Sequence, residues 1–484
     1  MLLCFRTIWS VPLNFLLNQA MPTLNIDFGY FFEIGSLSFP QMMLRLFLDG
    51  GWIPVLLVLI KGCWKLWVQW RQNKFDGTIT TCVLAIDVPR QNEQTAKAAE
   101  QIFSTLAGSY SGLDRFEKYW LGKCQPIFSF EIVSVNGYVQ FLVHTWTKFR
   151  DLVESAVYAQ YPDAEIVEIA DYTGSIPTSY PDQEWDLFGS EFVLKKPSHL
   201  PLRTYPQFEH TSAEYPFKDP ISALLEVMGS LRNGEQLWVQ FLIRPNDNKW
   251  RDKGIREIEK MLGRKAPAKK SILDDALWLP KEVVKEISSV IGSSSSANGD
   301  SKEDPLKMLA MSPGERGVVE AAQMKMTKIG FDSKIRVVYA GRRDIFSKKH
   351  FVSVKGTFMQ YSSLNLNELK PDGQVTPRGD YFYQRWSEPD KKIKLLSRYR
   401  SRSMGAGATH YVLNIEELAT MYHFPMRDQK TPLLKKTDAK RAEPPSSLPT
   451  VGETQSDFFK PIKKVAKEED NDQAGTLPGN LPLV

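Results

Sequence analysis

The chain has 484 residues, of which 42% are hydrophobic and 24% are charged. This balance is typical of globular proteins and excludes a wholly disordered chain, and the length is sufficient for two or three domains with their own cores. The formal net charge of +5 is small for this length. Composition therefore does not indicate a nucleic-acid-binding protein, and any basic binding site must be local.

The cysteines and histidines predict neither a disulfide framework nor a metal site. The four cysteines form no C-x-x-C pair, and the six histidines show no H-x-x-x-H or H-E-x-x-H spacing. Disulfide-stabilised domains and structural zinc sites usually display such spacings. We therefore expect the main body to lie in a reducing compartment and to hold no metal.

The stretch GGWIPVLLVLIKGCWKLWVQW is the most apolar part of the chain and predicts a membrane anchor. From Trp52 to Trp70 it is 19 residues long, about the length that crosses a bilayer core of roughly 30 Å. Tryptophans cluster at its ends, as aromatic residues do at membrane interfaces: Trp52, Trp64, Trp67 and Trp70. We expect one tilted transmembrane helix within residues 41–75, and a buried or interfacial helix is the alternative.

Basic residues follow the apolar core and set the expected topology. Lys61, Lys65, Arg71 and Lys74 lie on its C-terminal side, which places the large C-terminal part in the cytoplasm of a single-pass protein of the cytoplasmic membrane. Residues 1–40 are apolar but irregular. Their pattern does not distinguish a second membrane segment from a signal sequence.

Residues 77–172 alternate between strand and helix patterns and predict a ferredoxin-like domain. TITTCVLAIDVP has the period of a strand, and a helical pattern follows it. PIFSFEIVSV and YVQFLVHT are joined by Asn136-Gly137, a strong hairpin signal. A second helix and AEIVEIA complete a β-α-β-β-α-β order, in which two helices cover one antiparallel sheet. RNA-binding sheets share this order, but their signature is lacking here, and the sheet aromatics are expected in the core: Phe128, Phe130 and Phe141.

A second α/β module is expected over residues 183–425, which makes the fold class α+β. EWDLFGSEFVLKKP, EQLWVQFLIRP and SKIRVVYAG are strand patterns, and helix patterns begin after Asp219-Pro220, at Trp250 and at Ser312. Stretches such as GSSSSANGDSKEDP predict a disordered insertion at about residues 263–311 around one short helix, Lys281–Ile291. Residues 426–484 are rich in Pro, Lys and Glu and predict a disordered tail.

Catalytic and nucleotide-binding motifs are absent from the sequence. It contains no G-x-x-x-x-G-K-[ST] phosphate loop, no G-x-S-x-G nucleophile elbow and no G-x-G-x-x-G after a strand. GAGATH, residues 405–410, follows a basic loop and is interpreted as a hinge. We therefore predict no catalytic residue and no cofactor, and we expect a protein that is not an enzyme.

The stretch LNIEELATMYHFP combines glutamates with a histidine but predicts a capped helix rather than a catalytic site. Asn414 fits an N-cap, and Glu417 lies three residues later, as a capping box requires. Leu413 and Leu418 occupy the positions of a hydrophobic staple. His423 falls in the expected last turn, where the helix dipole favours a cation.

One segment, KKIKLLSRYRSRS, gives a positive indication of a binding site. Its cations, with a second group nearby in sequence, are candidates for binding the phosphates of nucleic acid or of anionic lipid. The alternative is a solvated basic loop. The candidate residues are Arg342, Arg343, Lys348, Lys349, Lys391, Lys392, Lys394, Arg398, Arg400 and Arg402.

Several strings together resemble an uncharacterised bacterial domain family. They are VLAIDVPRQNEQTAKAAEQIFSTLAG, FSFEIVSVNGYVQFLV, FRDLVESAVYAQYPDAEIVE, WVQFLIRP and VLNIEELATMYHFP. The domain occurs as a membrane-anchored region just before the motor in proteins similar to conjugative coupling ATPases of type IV secretion, and also as separate chains encoded near such motors. The resemblance spans roughly residues 50–450. The motor is absent from these 484 residues, so no ATPase residue is carried over.

This resemblance implies a non-enzymatic, membrane-anchored scaffold or accessory subunit of a translocation machine. Its expected partners are the lipid bilayer and a separate P-loop translocase ATPase, within a homo-oligomer or a larger assembly. A nucleic-acid-binding module that uses residues 391–402, with DNA as the partner, is the alternative.

Overall fold

The computed structural model describes residues 38–47, 52–89, 92–208, 219–262, 312–379 and 381–426. These residues divide into two compact units. Unit 1 comprises Met1–Gly77 and Asp114–Lys123, and unit 2 comprises Thr78–Leu113 and Cys124–Val484. The expectations for residues 1–37, for the insertion at 263–311 and for the tail after residue 426 lie outside the described ranges.

The described residues of unit 1 form two helices and one π-helical turn. Helix α1 is Phe39–Leu46, helix α2 is Trp52–Asp76, and the turn is Glu117–Leu121. The turn ends at Gly122, which has a φ of 73° and the left-handed conformation that glycine adopts without strain. A side chain at this position would also overlap the carbonyl group of Arg71. Gly122 therefore permits the close approach between the turn and α2.

Unit 2 is built on one antiparallel sheet. Its order is β4-β1-β3-β2-β6-β7-β5-β8, and β9 pairs with β7 beside the end of β5. The strands are β1 Thr81–Asp87, β2 Phe128–Val135, β3 Tyr138–Trp146, β4 Glu165–Ile169, β5 Trp185–Leu194, β6 Glu235–Pro245, β7 Gly330–Arg342, β8 Leu369–Pro371 and β9 Tyr411–Asn414. Together with the helices, this sheet confirms the α+β class.

Helices cover both faces of the sheet. In chain order, the α-helices of the described part of unit 2 are α3 Ala96–Ala107, α4 Arg150–Gln160, α5 Ser222–Gly229, α6 Lys249–Met261, α7 Pro313–Thr327, α8 Lys349–Met359, α9 Phe382–Arg400 and α10 Ile415–Met421. Helices α6 and α7 pack against each other in a separate small cluster. The three helices expected after Asp219-Pro220, at Trp250 and at Ser312 begin at Ser222, Lys249 and Pro313. The helix expected at Ser312 starts with a capping box between Ser312 and Glu315.

The first predicted module has the expected chain order and hairpin. Residues 81–169 run β1-α3-β2-β3-α4-β4 and form the sheet order β4-β1-β3-β2, with antiparallel pairing throughout. Asn136 and Gly137 have φ values of 55° and 85°, as a two-residue turn of type I′ requires. Phe128, Phe130 and Phe141 are buried, which confirms that these aromatics belong to the core.

The sheet also joins the two segments that were expected as separate modules. Strand β2 pairs along its whole length with β6, for example Phe130 opposite Phe241. This pairing was not predicted from the sequence. The described part of residues 78–426 consequently shares a sheet across the proposed module boundary.

Two hydrophobic cores lie on opposite faces of this sheet. On the first face, α3, α4, α5, α8 and α10 pack against residues such as Leu84, Phe130 and Ile335. On the second face, α9 packs against Trp238 and Val338. Burial of each such side chain contributes about 1.5–3 kcal/mol relative to exposure. The sheet is therefore apolar on both faces, and polar residues within it need internal partners.

The LNIEELATMYHFP segment forms the capped helix that was predicted. The Asn414 side chain accepts from the Glu417 N–H at 2.8 Å, and the Glu417 carboxylate accepts from the Asn414 N–H at 2.8 Å. Leu413 and Leu418 are buried in the first core. The helix ends at Met421, so His423 lies just beyond the last turn rather than within it.

Candidate functional site

Helix α9 has one side that is buried against the sheet and another side that carries accessible cations. Lys392, Leu395, Leu396 and Tyr399 are buried against the sheet. Lys391, Lys394 and Arg398, spaced i, i+3 and i+7, follow a second stripe. The ten predicted binding cations therefore fall into different environments. A cation on the buried side of α9 is not accessible to a ligand.

Three of the predicted cations make internal bonds. The Lys392 ammonium group lies 2.6 Å from Asp186 and 3.0 Å from Glu388. The Arg400 guanidinium donates to the carbonyl oxygens of Thr173 and Ile176. These contacts fix α9 to the sheet and to the segment after β4.

Arg402 is the most completely engaged of the three. Its Nε donates to Glu131 at 3.0 Å, and one terminal nitrogen donates to Asp171 at 2.7 Å and to the Arg400 carbonyl oxygen at 3.2 Å. The other terminal nitrogen donates to Glu131 and to Asp171. A guanidinium has five N–H donors, so none remains for a phosphate. Arg402 is a structural residue.

Arg402 is part of a polar row that crosses the second face of the sheet. Glu131, Gln240, Arg336 and Glu191 lie directly opposite one another on β2, β6, β7 and β5. All four are fully buried. The Glu131 carboxylate accepts from Ser129, Tyr172 and Gln240 in addition to Arg402: each buried charge in this row has partners.

Arg336 occupies the centre of the row. Its Nε donates to Glu191 at 3.0 Å, and its terminal nitrogens donate to the side chain of Gln240 and to the carbonyl oxygens of Arg398, Ser403 and Ala406. All five N–H donors are again used. The GAGATH stretch, which was interpreted as a hinge, is therefore held over the sheet by Arg336.

Glu191 fixes the same stretch from the other side. Its carboxylate accepts from the Ala408 N–H at 2.6 Å. Gly407 has a φ of 93°, and a side chain there would overlap the Glu191 carboxylate. A glycine is thus required at this close approach.

The row shifts the pKa values of neighbouring groups. Burial alone would raise the pKa of Asp171, but its bonds from Arg402 lower it to about 2. Burial lowers the pKa of His144 to about 4, and the positive charge of Arg402 acts in the same direction. The pKa of Lys334 is lowered to about 8, chiefly by burial; Glu191 opposes this effect, and Arg336 and Arg398 add to it.

The second stripe of α9 lines a cavity of about 390 Å³. Its lining consists of Lys391, Lys394, Arg398, Asp372, Gln374, Val375, Gly407, Ala408 and Thr409. Among the described residues, the three cations form no ion pair with a carboxylate. This cavity is the place where the predicted basic segment remains open to an anion.

The remaining four cations do not join this cavity. Arg342, Arg343, Lys348 and Lys349 are exposed where β7 ends and α8 begins. The Lys348 ammonium lies 5.2 Å from the centroid of the Phe188 ring, which packs against Phe351 of α8 on the first face. The cavity lies on the second face, beside α9. The ten cations named from the sequence therefore do not all line one cavity.

Unit 1 contains the four tryptophans that were predicted as a membrane anchor. Trp52, Trp64, Trp67 and Trp70 are all exposed on α2. So are the aliphatic residues between them, among them Leu57 at 61% and Val58 at 71%. Exposed apolar side chains in such number are unusual for the surface of a soluble monomer and mark a surface that contacts a partner or lipid.

An aromatic and cationic cluster surrounds the C-terminal half of α2. Ring centroids lie 5.7 Å apart for Trp64 and Tyr119, and 6.0 Å apart for Trp67 and Trp120. The Arg71 guanidinium lies 5.8 Å from the centroid of Trp70. Indole rings beside cations are typical of the boundary between hydrocarbon and water.

A membrane-spanning helix is not found by length and hydropathy among the described residues. The same part of the chain contains no group of His, Cys, Asp or Glu side chains arranged to hold a metal ion.

The polar row and a buried histidine–carboxylate pair were not predicted from the sequence. His423 Nε2 lies 2.6 Å from Asp219, and Nδ1 lies 2.7 Å from the Ala419 carbonyl oxygen. Both side chains are only 1% exposed, so this pair joins distant segments and meets no substrate. A signal for the row existed in the charged residues Glu131, Glu191 and Arg336, each of which has apolar neighbours in a predicted strand.

Comparison with known proteins identifies one family. The family described as Domain of unknown function (DUF8128) matches residues 78–437. A search of curated proteins finds no match.

Proposed function

Because the chain belongs to the DUF8128 family, whose description assigns no activity, we propose a function from its own structure. The protein is a non-enzymatic scaffold anchored at the cytoplasmic membrane. The observation that carries this proposal is the exposed apolar helix α2 with its cluster of tryptophans and cations.

The anchor is a single tilted helix within residues 41–75. Transfer of the exposed aliphatic side chains of α2 from water to hydrocarbon has a favourable free energy. Trp64, Trp67 and Trp70 favour the interface between membrane and water. Lys61 and Lys65 reach polar head groups through their long side chains. The large C-terminal part is then cytoplasmic, since the cations follow the apolar core.

At the finer level of fold, residues 77–172 are a ferredoxin-like element of the scaffold. Its support is the strand order β4-β1-β3-β2 with α3 and α4 on one face. In this protein the free edge of that element, β2, is occupied by β6.

The scaffold's partner is a separate P-loop translocase ATPase of a machine similar to type IV secretion and conjugation systems. This part of the proposal rests on the resemblance of the strings at 82–172 and 411–425 to regions that precede such motors. The protein acts within a homo-oligomer or a larger assembly.

The alternative is nucleic-acid binding by residues 391–402, and fewer cations of this segment are accessible than its sequence suggested. Lys391, Lys394 and Arg398 are free of ion pairs within the described residues. Arg400 and Arg402 are bound to internal acceptors. The segment thus offers three cations to DNA rather than six.

Membrane fractionation tests the scaffold. We expect the wild-type protein to sediment with membranes and to resist alkaline carbonate extraction. The double substitution Leu57→Asp and Val58→Asp places two charges in the apolar core, at a cost of roughly 2.5–3.5 kcal/mol each on insertion scales, and should move the protein into the soluble fraction.

A matched control uses exposed apolar residues of unit 2. Met324→Asp and Val352→Asp change side chains that are 59% and 64% exposed and should leave sedimentation unchanged. A wild-type protein found wholly in the soluble fraction would contradict the membrane anchor. A wild-type protein that alkaline carbonate extracts from membranes would contradict a transmembrane helix.

Co-purification tests the proposed partner. From detergent-solubilised membranes, the ATPase should co-purify with the protein after nuclease digestion. Loss of the ATPase on digestion would instead support the nucleic-acid alternative.

A further inference from the structure

The cavity beside α9 has an excess of positive charge. Lys391, Lys394 and Arg398 line it without ion pairs among the described residues. Arg336 lies behind Arg398 and donates to its carbonyl oxygen. Burial lowers the pKa of the nearby Lys334 ammonium group, and the charges of Arg336 and Arg398 act in the same direction.

Two carboxylates lie near these cations, and one of them already accepts hydrogen bonds from other groups of the protein. Glu191 accepts from Arg336 and from the Ala408 N–H. Asp372 lines the cavity and accepts from the Gln374 N–H at 2.9 Å. The lining itself therefore has three cations and one carboxylate, and an additional anion would offset this excess of positive charge.

The walls of the cavity are preorganised. The Asp372 N–H donates to the Glu191 carbonyl oxygen at 2.8 Å, and the Thr376 hydroxyl lies 2.7 Å from that of Ser190 on β5. On the other side, Lys334 donates to the carbonyl oxygens of Met404 and Ala406 at 2.9 Å. Both loops are thus fixed to the sheet before a ligand binds, which reduces the entropy cost of binding.

We propose that this cavity binds a small anion that carries phosphate groups. The planar donors of Arg398 and the mobile ammonium groups of Lys391 and Lys394 suit the oxygens of adjacent phosphates. A volume of about 390 Å³ is near the lower end of ligand pockets. It suits pyrophosphate or a mononucleotide, and this binding is independent of the membrane scaffold.

Nucleic acid fits this place less well. A duplex needs a row of exposed cations along its backbone, whereas Arg400 and Arg402 are engaged internally and Lys348 lies on the other face of the sheet. A concave site with three convergent cations favours a compact ligand.

Titration calorimetry tests the proposal on the full chain in phosphatidylcholine nanodiscs. The probes are pyrophosphate, ATP without magnesium, and a duplex DNA oligonucleotide. The triple variant Lys391→Gln, Lys394→Gln, Arg398→Gln removes the cavity cations. The matched control Arg343→Gln, Lys348→Gln, Lys349→Gln removes the same charge from exposed positions outside the cavity.

We expect pyrophosphate or ATP to bind the wild type and the control variant. In the cavity variant we expect at least about a tenfold loss of affinity, since charge-assisted hydrogen bonds are removed. Equal losses in both variants would mean non-specific attraction and would overturn the proposal. So would absence of pyrophosphate and ATP binding to a folded wild type, or binding of DNA alone.

Discussion

At the scale of single residues, the two buried arginines show how charge is used inside this sheet. Arg336 and Arg402 each spend all five N–H donors on internal acceptors. Such groups stabilise only as a set, because removing one partner leaves an uncompensated buried charge. By contrast, Arg398 lines a cavity and forms no ion pair within the described residues.

Substituting Arg336 by leucine should destabilise the protein by about 3–5 kcal/mol, because Glu191 then remains charged and buried. The second substitution Glu191→Leu, made on that background, should recover part of this loss. Chemical denaturation of both single variants and the double variant measures the coupling. Lys348→Leu, at an exposed cation, is the control. A cost below about 1 kcal/mol for Arg336→Leu would contradict a central role for this ion pair.

Acid should destabilise the protein in two steps. The folded pKa of His144 is about 4, below its ordinary value, so the unfolded chain takes up a proton first and stability falls between about pH 6.5 and pH 4. The folded pKa of Asp171 is about 2, so its contribution is lost between about pH 4 and pH 2.

A His144→Gln variant isolates the first step. Its melting temperature should vary less with pH between 6.5 and 4 than that of the wild type, while the step below pH 4 remains. Scanning calorimetry over this pH range measures both. Parallel wild-type and variant curves would show that His144 does not carry the first step.

At the scale of helices and strands, local patterns predicted β1 to β7, α3 to α7 and α10, whereas α8 and α9 were not predicted. Alternation predicted β1, β2, β3 and β6, and the Asn136-Gly137 turn and the Asn414 cap were recognised because they depend on adjacent residues. The pairing of β2 with β6 was missed, because strand partners more than a hundred residues apart leave no local pattern.

The candidate site was predicted only in part for the same reason. Lys391 and Arg402 are both cations of one basic segment, yet the first lines a cavity and the second is buried. The difference depends on Glu131 and Asp171, which are far from Arg402 in the chain. No spacing within residues 391–402 contains this information.

The capping box of α10 gives a prediction at this scale. Asn414→Ala removes the acceptor for the Glu417 N–H and should cost about 1 kcal/mol. Asn414→Ser keeps a side-chain oxygen and should cost less. Thermal unfolding compares the two, and hydrogen exchange of the α10 amides reports local opening. Equal losses for both substitutions would argue that packing at this position, rather than the cap, is responsible.

At the scale of the whole molecule, the described residues form two units with different surfaces. Unit 1 exposes apolar side chains on α2, and unit 2 buries apolar side chains on both faces of its sheet. This contrast motivates the proposal above that unit 1 associates with lipid and that unit 2 contacts a partner. The fractionation experiment tests the role of unit 1 alone, because Leu57 and Val58 lie in α2 and the sheet lies in unit 2.

The polar row also has a consequence for the order in which this protein is made. Residues 402–408 supply partners to Glu131, Glu191 and Arg336, and Tyr422 packs against Phe130 on the opposite face. A ribosome synthesises these residues hundreds of positions after Glu131. Until they emerge, the nascent sheet has bare charges on one side and an incomplete apolar core on the other. Folding of unit 2 is therefore completed late in translation, and we expect the growing chain to depend on chaperones until residue 424 leaves the ribosome.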